Sequence, residues 1–97
     1  MSVVITVEIE AAGGDVSTLV AEFARVLPDT RAFEGCEMIE VLTDTGRPGF
    51  VSLLERWASL ANYQAYKAWR AESGTSVAAG PHVAGTPVVR VYDVADA

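Results

Sequence analysis

Apolar and polar residues alternate from the start of the chain. In residues 3–10, Val3, Ile5, Val7 and Ile9 fall on one side and Val4, Thr6, Glu8 and Glu10 on the other, the period of a strand with one buried face. Ala11-Ala12-Gly13-Gly14 breaks it. The period then lengthens. Val16, Leu19, Val20, Phe23, Ala24 and Leu27 recur every three or four residues, which predicts an amphipathic helix over about 16–27, capped by Asp15 and stopped by Pro28. Residues 35–43 and 49–57 are predicted as two further strands, joined by the turn-forming Asp44-Thr45-Gly46-Arg47-Pro48 into an antiparallel hairpin. Ser59 is placed to cap a second helix over about 60–72. Residues 73–87 hold three Gly and two Pro and read mostly as loop, with room for one helical turn near Val77–Ala79. Residues 88–94 form a final strand.

The order β-α-β-β-α-β, with right-handed crossovers, makes an α+β fold of the ferredoxin-like type: a four-stranded antiparallel sheet with two helices on one face. If the odd-numbered residues of the first strand face the helices, the other side of the sheet carries Val4, Thr6, Met38, Leu42, Val88 and Tyr92. That face is too apolar for water, and a second copy of the sheet is expected to cover it. Composition agrees. At 97 residues the chain is long enough for one domain, 1–97, yet 51% of it is apolar, more than so small a domain usually hides.

Charge narrows the function classes. The net charge is −6, and the basic residues Arg25, Arg31, Arg47, Arg56, Lys67, Arg70 and Arg90 are scattered, so no footprint for nucleic acid or an anionic membrane is present. The N-terminus lacks the basic and cleavable parts of a signal peptide, and no apolar run approaches the roughly 18 residues of a membrane span. The single cysteine, Cys36, excludes an internal disulfide and reads as a small buried hydrophobe. These features predict a soluble cytoplasmic protein. One histidine cannot build a typical metal site, no glycine-rich phosphate loop exists and no Ser-His-Asp arrangement is readable, so no cofactor is expected.

Three segments bear a family resemblance. Thr30-Arg31-Ala32-Phe33-Glu34-Gly35-Cys36 resembles the R-x-x-P-G-C lead-in to the second strand of the antibiotic biosynthesis monooxygenases, with Glu34 in place of the proline. Leu54-Glu55-Arg56-Trp57-Ala58-Ser59, continuing to Tyr66, is similar to their E-x-W-x-S-x-x-A-L-x-x-H block, and Gly85–Tyr92 to their last strand. The resemblance implies a homodimer, a dimeric α+β barrel in which two sheets face each other. It also implies oxidation of quinols or aromatic polyketides by molecular oxygen without a cofactor. The family histidine falls at Tyr66. Trp57 and Tyr63 match the six-residue Trp-to-Tyr spacing of the actinorhodin-type enzymes, whose Asn four residues before the Trp is Leu53 here. The haem-degrading branch uses an Asn, a Trp and a histidine ligand where this chain has Val7, Tyr66 and no histidine.

Such chemistry needs a pocket that binds the ring, accepts a proton and excludes water. On the second helix Asn62, Tyr63, Tyr66, Trp69 and Arg70 share an arc of roughly 120°, with Ala61, Gln64, Ala65 and Ala68 opposite. Tyr66 is the sharpest candidate, as a hydrogen-bond donor to a phenolate or semiquinone oxygen, so that Tyr66→Phe is expected to weaken function and leave stability nearly unchanged. Trp57 and Tyr63 join it as catalytic candidates, each also readable as core. Asn62 and Trp69 are candidates for substrate binding, though an exposed or helix-capping Asn62 is the plainer reading. His82, in the loop, is the one residue with a neutral-pH base, though a solvated loop histidine is the plainer reading. Two classes remain: a cofactor-independent monooxygenase of an aromatic small molecule, or a non-catalytic dimer that binds a small apolar ligand.

Overall fold

Val3, Ile5, Val7 and Ile9 are all buried, so the alternation of the first strand becomes the packed face of a sheet. The computed structural model describes residues 1–97. Strand β1 (Val3–Ala11) lies inside the sheet, antiparallel to β3 (Phe50–Trp57) on one side and β4 (Val83–Asp93) on the other. Strand β2 (Cys36–Thr43) pairs with β3, giving the order β2-β3-β1-β4. Helices α1 (Val16–Ala32) and α2 (Leu60–Ser73) complete the α+β, ferredoxin-like arrangement. Their side of the sheet takes Val51, Leu53, Glu55 and Trp57 of β3 and Ile39 of β2, together with Leu19, Phe23, Val26 and Leu27 of α1. No helix is long and apolar enough to cross a membrane.

The helix starts follow the expected chemistry. Asp15 accepts from the Thr18 backbone N–H at 3.1 Å and from its hydroxyl at 2.7 Å. Ser59 Oγ accepts from the Asn62 N–H at 3.1 Å. α2 ends on Gly74, whose φ of +67° suits a left-handed cap.

Two boundaries differ from the sequence reading. α1 does not stop at Pro28 but continues to Ala32. Pro28 sits on the exposed side, where its ring costs one helical hydrogen bond, while the buried Leu27 and Thr30 on either side of it hold the last turn against the core. The last strand begins at Val83 rather than 88. Its first half is disguised by a bulge: Glu8 pairs with Val88 but Glu10 with Ala84, and Gly85, at φ +64°, and Pro87 occupy the irregular stretch. A proline that donates nothing is accommodated there, on an edge strand. The connecting segment therefore shrinks to residues 74–82, and it contains the expected helical turn as a 3₁₀ turn, Val77–Ala79.

The opposite face of the sheet carries the apolar residues expected there. Leu42, Val88 and Tyr92 are 41%, 46% and 47% exposed. Glu8 pairs there with Arg47 at 2.7 Å and Arg90 at 3.1 Å, and Arg56 with Glu37 at 3.3 Å. Such exposed pairs contribute little to stability.

A candidate active site between the helices and the sheet

A cavity of about 370 Å³ opens between the helical layer and the sheet. Val7, Ile39 and Leu53 form its floor, Phe23 and Leu27 of α1 one wall, and Tyr63 and Tyr66 of α2 another. The 3₁₀ turn Val77–Ala79 and Val89 of β4 border it. The volume is that of a small-molecule site, and most of the lining is apolar.

One carboxyl interrupts this lining. The alternation that buries Val51, Leu53 and Trp57 also turns Glu55 inward, where it is 3% exposed. Burial raises its pKa above the usual 4.5, opposed by the Trp57 indole N–H, which donates to Oε1 at 3.0 Å, and by the nearby Lys67. Tyr63 stands beside it, 5% exposed. Its phenol is pushed up by burial, then by the neighbouring Glu55 carboxylate and Tyr66, so it stays protonated at neutral pH. A carboxyl with a raised pKa and a phenol held in its donor form thus share one cavity wall.

Behind them packs an aromatic cluster. Trp57 is fully buried, with ring centroids 5.0 Å from Tyr66 and 6.0 Å from Tyr63. Phe33 meets the Tyr66 ring edge-on at 5.4 Å and lies 5.5 Å from Trp69. Such contacts fix the ring positions.

Of the six candidate residues, Tyr63 and Tyr66 line the cavity. The other four lie outside the lining. Trp57 supports both tyrosines from behind and orients Glu55. Trp69 packs on Phe33 and lies under the Arg70 guanidinium, 4.7 Å from its ring centroid. Asn62 Oδ1 accepts from the Ser59 hydroxyl at 2.6 Å, and its side chain packs onto Gly35 so closely that a Cβ there would overlap it. The φ of +87° at Gly35 is a second reason for glycine. His82 belongs to the connecting segment, where its backbone carbonyl accepts from the Ala12 N–H at 2.9 Å.

The Tyr66 hydroxyl, placed in the pocket by the sequence, is engaged within the protein. It lies 2.7 Å from Thr30 Oγ1 and accepts from Arg70 Nε at 2.9 Å. Removing it strands a buried donor. Tyr66→Phe is therefore expected to destabilise the fold by about 1–2 kcal/mol, lowering the melting temperature by roughly 5–15 °C, in place of the unchanged stability expected from sequence. Thermal unfolding followed by circular dichroism measures it.

Glu55, Lys67 and Arg70 also line the cavity, and sequence reasoning did not select them as site residues. The signal for Glu55 was present: on the buried side, β3 reads Val, Leu, Glu, Trp, and a lone carboxyl among apolar residues marks a perturbed group. Arg70 lay on the aromatic arc of α2, and Lys67 is one turn from both Tyr63 and Arg70.

Known structures share this architecture. Rv0793 from Mycobacterium tuberculosis superposes with a TM-score of 0.82 at 18% identity, over 100% of this chain and 98% of that one. Protein SO0527 from Shewanella oneidensis gives 0.79 at 23% identity, over 94% and 88%. The heme-degrader MhuD from Mycobacterium tuberculosis gives 0.77 at 20% identity, over 95% and 94%. At these identities the likeness is one of fold. No curated protein matches the chain in sequence. The sequence model of one family, antibiotic biosynthesis monooxygenase, matches residues 2–74, from β1 through the end of α2 and so across the strand and the helix that carry Glu55, Tyr63 and Tyr66; the chain belongs to that family.

Proposed function

We propose that the protein is a cofactor-independent monooxygenase that oxidises an aromatic, quinol-like or polyketide-type small molecule with molecular oxygen. The observation that carries this reading is Glu55, a buried carboxyl of raised pKa on the wall of an apolar cavity. A base whose pKa approaches that of an acidic ring C–H or phenol transfers a proton more effectively than an ordinary carboxylate. In this scheme Glu55 takes a proton from a ring methylene. The resulting anion passes an electron to oxygen, and the radical pair joins as a carbon-bound peroxide. The Tyr63 phenol supports the charged oxygen by donating a hydrogen bond, and Glu55 returns its proton. Loss of water leaves a carbonyl, so that CH₂ and O₂ become C=O and H₂O. Tyr66 and Trp57 hold this wall in place through the contacts above.

A haem site fits these residues less well, because no histidine or cysteine lines the cavity. The exposed Leu42, Val88 and Tyr92 support a homodimer through the sheet face opposite the helices. The expected mass in light scattering at micromolar concentration is that of two chains, and a one-chain mass overturns the dimer.

Oxygen uptake by the purified protein with a panel of hydroquinones and anthrone-like compounds tests the activity. Uptake that saturates with substrate supports it. Saturable binding without uptake establishes the alternative, a non-catalytic ligand-binding protein.

A further inference from the structure

Outside the cavity, Arg31 alone of the five basic side chains has no carboxylate partner, and it donates to the Ile39 carbonyl at 3.2 Å. Arg25, Arg47, Arg56 and Arg90 each pair with a carboxylate. Lys67 and Arg70, which line the cavity, pair with none, in a chain of net charge −6. Arg70 is 5% exposed. Its guanidinium donates to neutral acceptors alone: the Tyr66 hydroxyl at 2.9 Å, Thr75 Oγ1 at 3.1 Å, the Val26 carbonyl at 2.9 Å and Thr30 Oγ1 at 2.8 Å. These four bonds use four of its five N–H groups and fix its plane, and none neutralises its charge. A buried cation without a counter-charge is costly, and an anionic ligand in the cavity would offset that cost.

The rest of the lining strengthens the case. Glu55, Lys67 and Arg70 are its only charged residues, so the cavity is net positive even with Glu55 ionised. The hydroxyl-bearing Ser76, next to the Thr75 that Arg70 holds, belongs to the same lining. Tyr63 and Arg70 are seven residues apart on α2, about 10 Å along its axis. The acid–phenol pair and the guanidinium thus stand at separate stations of one apolar slot.

We propose that Arg70 is a carboxylate subsite, with Lys67 adding positive charge from the Tyr63 side of the cavity, and that the ligand is a flat apolar ring system carrying an ionised carboxyl group at the Arg70 end. This deepens the proposed function and rests on its claim that the cavity binds an aromatic molecule. The anionic group would anchor the ring and leave its far edge at Glu55 and Tyr63. One Nη1 N–H remains free to donate to the carboxylate, and the guanidinium charge strengthens that single bond.

Calorimetric titration of the full chain with 2-naphthoate, 2-naphthamide and 2-naphthol at pH 7.5 and low salt tests this. The three share a ring and differ in charge. Naphthoate is expected to bind about tenfold more tightly than either neutral probe. In Arg70→Gln that preference is expected to shrink to about threefold or less. If Arg70→Gln fails to fold, Lys67→Gln takes its place, since Lys67 is exposed; there the preference falls partway. Equal affinity of all three probes for the unaltered protein overturns the carboxylate subsite and leaves the aromatic-binding reading standing. A preference that survives both substitutions also overturns it. Binding of none of the three overturns both.

Discussion

Glu55→Gln is expected to remove turnover, by roughly 10²- to 10⁴-fold, while raising the melting temperature. Glutamine keeps the shape of the side chain and an oxygen to accept from the Trp57 N–H, so packing survives and only the ionisable group is lost. The gain in stability follows from the direction of the Glu55 shift. Its folded pKa lies above the usual 4.5, because burial penalises the charged form. Below about pH 4.5 the carboxyl is protonated in both folded and unfolded chains and carries no penalty. As pH rises from there through the raised folded value, the unfolded chain gives up the proton more readily, and the folded state loses stability. The variant escapes that loss. Its melting temperature should match the unaltered protein near pH 4 and exceed it by a few degrees at pH 8. Unfolding scans at the two pH values, beside oxygen uptake, check both halves. Retained turnover in a folded variant would remove Glu55 from the base role.

Trp57→Phe is expected to act on the same carboxyl from behind. The indole N–H is the one hydrogen bond that draws the Glu55 pKa down. Without it the pKa rises further, and the acidic limb of the kcat/KM profile moves to higher pH. The fold suffers as well. Trp57 is fully buried, and a phenyl ring leaves part of its volume unfilled and the carboxylate without a donor. About 2–4 kcal/mol of stability should be lost, or more than 10 °C in melting temperature. A pH–rate profile and a thermal scan separate the two effects. An unmoved acidic limb would mean that the indole does not tune the base.

Much of the fold was legible because local signals and tertiary packing agree. The alternation of Val3 to Ile9, the cap at Asp15, the hairpin turn at Asp44–Pro48 and the cap at Ser59 each specify the element that forms. Where they conflict, packing prevails. Pro28 carries a strong local stop signal, but Leu27 and Thr30 have core to fill and the helix runs past it. Gly85 and Pro87 look like loop because the bulge that admits them depends on the partner strand β1, which lies far away in sequence. The site divides the same way. Helical spacing sufficed to bring Tyr63 and Tyr66 to one wall. The engagement of the Tyr66 hydroxyl was hidden, since it joins α2 to Thr30 across 36 residues. Asn62 and Trp69 lie together at one edge of the aromatic arc, where a shift of a few tens of degrees separates the lining from its support. Glu55 was visible as part of a family block, and its importance emerged only when that block was placed on the inward face of β3.

A cavity of about 370 Å³ inside 97 residues makes occupancy part of the protein's thermodynamics. Its lining forgoes contacts that a filled core would make, and a molecule that fills it restores them to the folded state alone. At a concentration one hundred times its dissociation constant, such a molecule adds about 2.7 kcal/mol, or roughly 10–20 °C in melting temperature for a chain of this size. A library screened by thermal shift therefore reads the chemistry of whatever the cavity binds without any assumption about a reaction. In the cell the same linkage acts on lifetime: the ligand-bound protein opens to proteases less often than the free one, so the amount of protein present follows the supply of the compound it was made to handle.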